Sequence, residues 1–145
     1  MENRQIIGYE IHILDNMIGR RISALCERDG LTQMQSWVIG YLYDHSDKNI
    51  FQKDLEARFH IARSTATGII QLMEKRGFLT RESVPSDARL KRLVLTEKGI
   101  SFQLSIIRNL NQIEQLPKGQ ISQKDLDFFF EIIHQMKQNL QNETL

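Results

Sequence analysis

The amino-acid sequence predicts a mainly α-helical fold with a small β wing, a winged helix-turn-helix flanked by N- and C-terminal dimerisation helices. Three features carry that prediction. Within residues 51–99, two short helical stretches meet at a tight link, His60-Ile61, as in a helix-turn-helix hairpin. After Gly77 the apolar period changes from helical to strand-like over residues 78–84 and 92–95, around the turn-forming Pro85-Ser86-Asp87. Outside this module both ends of the chain carry long amphipathic stretches, more apolar surface than a small wing domain covers alone.

A chain of 145 residues, 41% hydrophobic, has room for one compact core. No apolar run approaches the roughly 18 residues of a spanning helix. Met1-Glu2-Asn3-Arg4 leads into an amphipathic pattern rather than the apolar core of a signal peptide. We therefore expect a cytoplasmic protein with no membrane partner. The single cysteine, Cys26, excludes an internal disulfide and any zinc site built on several thiolates. Net charge is +1, but residues 51–98 hold ten Lys/Arg against six Asp/Glu, and both flanks are net negative. A polyanion would meet a locally basic segment on a nearly neutral chain.

Taken in order, Ile7, Ile11, Leu14, Ile18, Ile22 and Leu25 recur at three- and four-residue spacing, which predicts a long first helix from about Arg4 to Cys26, closed near Gly30. Thr32-Gln33-Met34-Gln35 has the form of a capping box and opens a second helix over about residues 33–45. Trp37 and Tyr41 on that helix suit either plain core packing or the wall of an aromatic ligand pocket. A third helix runs over residues 52–59 and a fourth over about 63–76, closed by Gly77. Neither Phe51 nor Ala62 offers a capping oxygen, although Ser64 would cap a helix that began slightly later. Thr96 is a fitting N-cap for a helix reaching about Leu116, with Ile100, Leu104 and Ile107 along its stripe and Pro117-Lys118-Gly119-Gln120 breaking it. Ser122 opens the last helix, whose apolar face is Leu126, Phe129, Phe130, Ile133 and Met136.

The fourth helix has a packing face of Ala62, Ala66, Ile69, Ile70 and Met73. Arg63, Ser64, Thr65, Thr67, Gly68 and Gln71 fall on the other side or its margins. A helix in the major groove presents its N-terminal residues to base edges and phosphates, where hydroxyls, amides and guanidinium groups bond. In the wing, Arg89 can enter a narrow, A·T-rich minor groove while Asp87 holds the turn, with Lys91 and Arg92 beside it. An ion pair from Asp87 to Arg89 or Arg92 that only stiffens the hairpin is the alternative for both arginines. The sequence contains no phosphate-binding glycine loop, no His-Glu-x-x-His helix and no Gly-x-Ser-x-Gly elbow. His12, His45, His60 and His134 are too far apart to pair as ligands. We expect no enzyme, no cofactor and no metal.

Residues 87–99, Asp-Ala-Arg-Leu-Lys-Arg-Leu-Val-Leu-Thr-Glu-Lys-Gly, resemble the wing signature of the MarR transcription regulators. Thr67 and Met73-Glu74-Lys75-Arg76-Gly77-Phe78-Leu79 resemble that family's recognition helix and its exit. The resemblance implies one domain over 1–145, with dimerisation helices in 1–30 and 100–145 and a DNA-binding lobe over 31–99. It further implies a homodimeric regulator, a repressor, bound to a pseudo-palindromic double-stranded DNA operator through Arg63, Ser64, Thr65, Thr67, Gln71, Asp87, Arg89, Lys91 and Arg92. Release by a small aromatic or anionic effector also follows from it, with His12, Ile18, Arg21, Trp37 and Tyr41 as pocket residues. Gly68 departs from the larger polar residue many family members carry. Two other readings stay open: a winged-helix protein-interaction module, and a redox sensor acting through Cys26, although that thiol lies late in its helix for the peroxide-sensing branch of the family.

Overall fold

The computed structural model describes residues 5–143. Along them run α1 (Ile7–Cys26), α2 (Gln33–Asp44), α3 (Gln52–Phe59), α4 (Arg63–Lys75), the strands β1 (Leu79–Val84) and β2 (Asp87–Leu95), then α5 (Glu97–Lys118) and α6 (Gln123–Asn142). Backbone packing divides the chain into two compact units, one ending at Leu110 and the other beginning at Asn111. The start of the first helix expected at Arg4 lies outside the described residues.

In the first unit the expected boundaries hold closely, and local chemistry explains them. A 3-10 turn, Glu27–Asp29, follows α1, and Gly30 adopts φ 67°, with Leu31 N–H returning to the Cys26 carbonyl at 3.1 Å. Thr32 and Gln35 form the reciprocal cap: Gln35 N–H donates to the Thr32 hydroxyl at 3.2 Å, and Thr32 N–H donates to the Gln35 amide oxygen at 2.9 Å. Phe51 has no capping oxygen, but Asp54 reaches back and accepts its N–H at 2.8 Å. The start of α3 is thus half capped from inside the helix. At Ala62 no side chain caps α4, and Ser64 lies within the helix instead of opening it. His60 holds φ 50° in the tight α3–α4 link.

The hairpin pairs Leu79 with Leu95 and Val84 with Asp87, with a bulge at Ser83/Val84. The turn is therefore Pro85-Ser86, and β2 begins at Asp87, five residues earlier than its apolar pattern suggested. Residues 88–91 are exposed; Lys91 pairs with Ser83, and Ala88, Arg89 and Leu90 are the extra residues that the bulge leaves without a partner on β1. At the base, Leu93 N–H donates to the Ile50 carbonyl at 2.7 Å.

Helix α5 corrects the expected stripe. Gly99, Phe102, Gln103 and Ile106 face the core, whereas Ile100, Leu104 and Ile107 remain about 40% exposed. Both faces are apolar, and only one fits the lobe, where Phe102 meets Phe78 edge-on at 6.0 Å. The helix also runs through Pro117 to Lys118 rather than stopping before it. Pro117 removes the donor that would reach the Ile113 carbonyl and crowds that carbonyl, and Gly119, at φ 49°, closes the turn onto Gln115. In the second unit Ser122 caps α6 by accepting Asp125 N–H at 3.1 Å. Phe128, Phe129 and Phe130 are all exposed there. No helix of the described residues is long and apolar enough to cross a membrane.

A Cβ on residue 99 would run into the Phe78 carbonyl. Gly99→Ala should therefore cost about 1–3 kcal/mol, as overpacking does, read as a lower urea midpoint at unchanged slope.

Candidate nucleic-acid interface

The helix pair is locked by one amide. Gln52 Nε2 donates to Thr67 Oγ1 at 2.9 Å and to the Arg63 carbonyl at 3.3 Å, while Thr67 Oγ1 donates to that same carbonyl at 2.9 Å. The Thr67 proton is thereby committed inside the fold, which leaves this hydroxyl only as an acceptor. Ala66, Ile70 and Met73 are buried beneath α4. Arg63, Ser64, Thr65 and Gln71 are exposed, and among the described residues their side chains make no hydrogen bond. A Cβ at Gly68 would meet nothing within 4 Å, so that position also faces open space.

The wing separates its cations by task. Arg89 N–H donates to Asp87 Oδ1 at 2.9 Å, yet its guanidinium stays 3.7 Å from that oxygen and its side chain is 95% exposed. A pair so exposed holds the arginine weakly. Arg92 instead pairs with Glu82 at 2.8 Å and donates to Asn49 at 3.2 Å, and Lys91 donates to Ser83 at 2.5 Å. Arg81 grips Glu74 with two bonds, at 2.9 and 3.2 Å, tying β1 to α4. Hydrogen bonding from Arg81 holds the Glu74 carboxyl below its ordinary range. Lys53, Arg63, Arg81, Arg89 and Lys91 line a shallow groove between α3, α4 and the wing, with Glu56 as its one carboxylate. Sequence reasoning missed Gln52, Glu74 and Arg81, because side-chain bonds across elements leave no periodic trace.

Of the residues expected to form a ligand pocket, Trp37 and Tyr41 come together. They line a crevice of about 310 Å³ shared by α1, α2, α3 and α5. His12, Ile18 and Arg21 are not among its walls; His12 lies 3.1 Å from the Asn16 amide on α1. The crevice takes its cation from Arg58 and also includes Asp44, His45, Phe59 and Gln103, which sequence spacing could not join to Trp37. Cys26 is fully buried, and burial pushes its thiol up despite a hydrogen bond to Ser36. A protonated, enclosed thiol is a poor oxidation sensor, so the arrangement counts against the redox reading.

Residues 29–90 match the model of the MarR family. Over this stretch the chain is similar to the MarR family. Its fold agrees with that of solved MarR-family regulators. The transcription regulator MarR from Oenococcus oeni PSU-1 superposes with a TM-score of 0.79 at 28% identity, covering 92% of this chain and 99% of that one. The S. aureus MepR–DNA complex gives a TM-score of 0.85 at 20% identity, covering 94% and 99%. In sequence, the HTH-type transcriptional regulator YdgJ of Bacillus subtilis is 23% identical over 136 residues, covering 94% of this chain and 80% of that protein. The fold is that of solved transcription regulators.

Two outcomes follow from this geometry. Gly68→Ala should stabilise the protein by about 0.5–1 kcal/mol, because the helix gains propensity and nothing is crowded; chemical denaturation measures it. Cys26 should react with a disulfide reagent near pH 8 only as the protein unfolds.

Proposed function

We propose that this regulator is a cytoplasmic homodimeric repressor that binds a pseudo-palindromic operator and releases it when a small ligand binds. The observation that carries DNA contact to particular residues is the free N-terminal half of α4 beside the free Arg89. Arg63, Ser64, Thr65 and Gln71 would meet base edges and phosphates in the major groove. Arg89 would enter the adjacent minor groove, with Lys91 able to leave Ser83 for a phosphate. Asp87, Arg92 and Thr67 would position these groups from inside the fold. That the same fold is found on DNA in the MepR complex supports this reading.

Dimerisation is supported by apolar side chains left uncovered on each unit. Ile7, Ile11 and Leu14 on α1 are 43–59% exposed, and Phe128, Phe129 and Phe130 on α6 are 45–59% exposed. Apolar surface of that extent is unusual on a monomer and is the kind a second copy covers. Two recognition helices about 34–36 Å apart then reach successive major grooves, and a ligand in the crevice beside α3 would release DNA by favouring another spacing.

Selection from random double-stranded DNA should return a palindromic site whose binding weakens steeply with salt. Arg89→Ala should weaken all sites, most strongly those with A·T-rich flanks. Arg63→Ala should change the preferred bases and cost about 1–3 kcal/mol. Removal of residues 123–145 should abolish the dimer in sedimentation and operator binding with it. Failure to enrich any DNA, with salt-insensitive capture of a protein instead, would make the lobe a protein-interaction module.

A further inference from the structure

Three buried polar side chains stand out in the first unit, and two are satisfied. Gln35 completes the α2 cap, and Ser36 leaves no buried side-chain atom unpaired. The third, Gln103 on α5, is only 7% exposed, and among the described residues its Oε1 has no hydrogen-bond partner. A leucine would fill this position without leaving a buried carbonyl unpaired. Gln103 is also a wall of the crevice of about 310 Å³.

The rest of the crevice is arranged around that amide. Trp37, Gly40, Tyr41 and Asp44 form one stripe of α2 along it. Gly40 presents no side chain where the amide lies, since an added Cβ would stand 3.5 Å from its nitrogen and 3.6 Å from its oxygen. Tyr41 meets Phe59 edge-on at 6.0 Å, which gives an aromatic wall beside a bare stretch of helix. Charges of both signs, Asp44 and Arg58, belong to the lining, but both residues are exposed and keep their water. The group that discriminates is the buried one, because a ligand lacking its complement leaves it unpaired.

We propose that this crevice selects planar aromatic compounds of one or two rings whose polar edge donates an N–H to Gln103, in preference to aromatic carboxylates. The proposal names the ligand class for the release step proposed above and rests on that reading only for its consequence at the operator. The volume suits a ligand of this size. The rings would lie against Trp37 and Tyr41, with the donor edge directed at α5.

The test is calorimetric titration of the full-length protein with 2-naphthamide, its amidine and 2-naphthoate, followed by operator competition with the same three probes. Both donor probes should bind at least about tenfold more tightly than the carboxylate. Gln103→Leu should remove about tenfold of donor-probe affinity, leave naphthoate within about twofold, and keep or raise the melting temperature of the ligand-free protein. Gly40→Ala, which narrows the crevice at an ordinary contact distance, should weaken all three probes without loss of stability. Should Gln103→Leu not fold, Gln103→Glu serves in its place: it retains only acceptors, so amidine binding should persist or strengthen. Preference for naphthoate, a donor preference that survives Gln103→Leu, or no binding of any probe at millimolar concentration would overturn the proposal. Donor-selective binding that leaves the operator complex untouched would refute the release step and leave the selectivity standing, whereas release by naphthoate alone would do the reverse.

Discussion

The carbonyls at the exit of α4 fix where everything that can touch DNA is placed. Phe78 O accepts Thr96 N–H at 3.1 Å, and Thr96 Oγ1 donates to Gly77 O at 2.5 Å while accepting Gly99 N–H at 3.2 Å. One threonine thus closes the end of the recognition helix, the base of the wing and the first turn of α5. Residue 99 must be glycine for α5 to lie so close to that backbone. Lys98 adds a bond to the Arg76 carbonyl at 2.8 Å and sits 4.4 Å from the centre of the Phe78 ring. The hairpin is only two strands, which are marginal on their own, so its direction relative to α4 depends on this junction.

Given a fixed base, the charges of the lobe divide by whether they already have partners. Arg81 and Arg92 are bound to Glu74 and Glu82 within 3 Å, and each would give up an existing bond in order to meet a phosphate. Arg63 and the Arg89 guanidinium give up little. Free and committed cations can therefore share one groove and contribute unequally: the committed ones set the shape of the wing and the field around it, while the free ones are available to a new partner. Counting basic residues along the segment cannot make this distinction, because the partners lie seven residues away, between α4 and β1, and ten residues away, across the hairpin.

What was legible in the sequence follows the same division. The span of α3, the Thr32 box and the turn at Pro85 were readable because each rests on neighbours within four residues. The buried face of α5 was not, since Ile100, Leu104 and Ile107 form as good a stripe as Phe102 and Ile106. Periodicity says that a face is apolar, not which of two faces the lobe receives. The crevice was half legible: Trp37 and Tyr41 share one helix and were seen together, but Arg58, Phe59 and Gln103 reach it from other elements. His12, Ile18 and Arg21 lie on α1 outside the walls of this crevice, which that helix reaches through Ile22. Thr67 shows a subtler limit, for its helical position was right and its hydroxyl was already spoken for by Gln52 and Arg63.

The crevice and the basic groove beside the wing meet on α3, a helix of only eight residues. Its C-terminal end supplies Arg58 and Phe59 to the crevice, and its first residue, Gln52, holds Thr67 and the first carbonyl of α4. At about 1.5 Å of rise per residue, roughly 10 Å separates an aromatic wall from the grip on the recognition helix, and a continuous backbone ladder joins them. A helix this short moves as a body rather than bending. Its fixings are Leu55, buried in the core, the Asp54 bond at its start and the left-handed His60 at its end. Any ligand that wedges Phe59 away from Tyr41 must then either break that ladder or carry Gln52 with it. Breaking it costs several backbone bonds, whereas carrying Gln52 costs the two it donates to Arg63 and Thr67 and a shift of Leu55 within the core. The cheaper displacement is the one that loosens the start of α4, where Arg63, Ser64 and Thr65 stand.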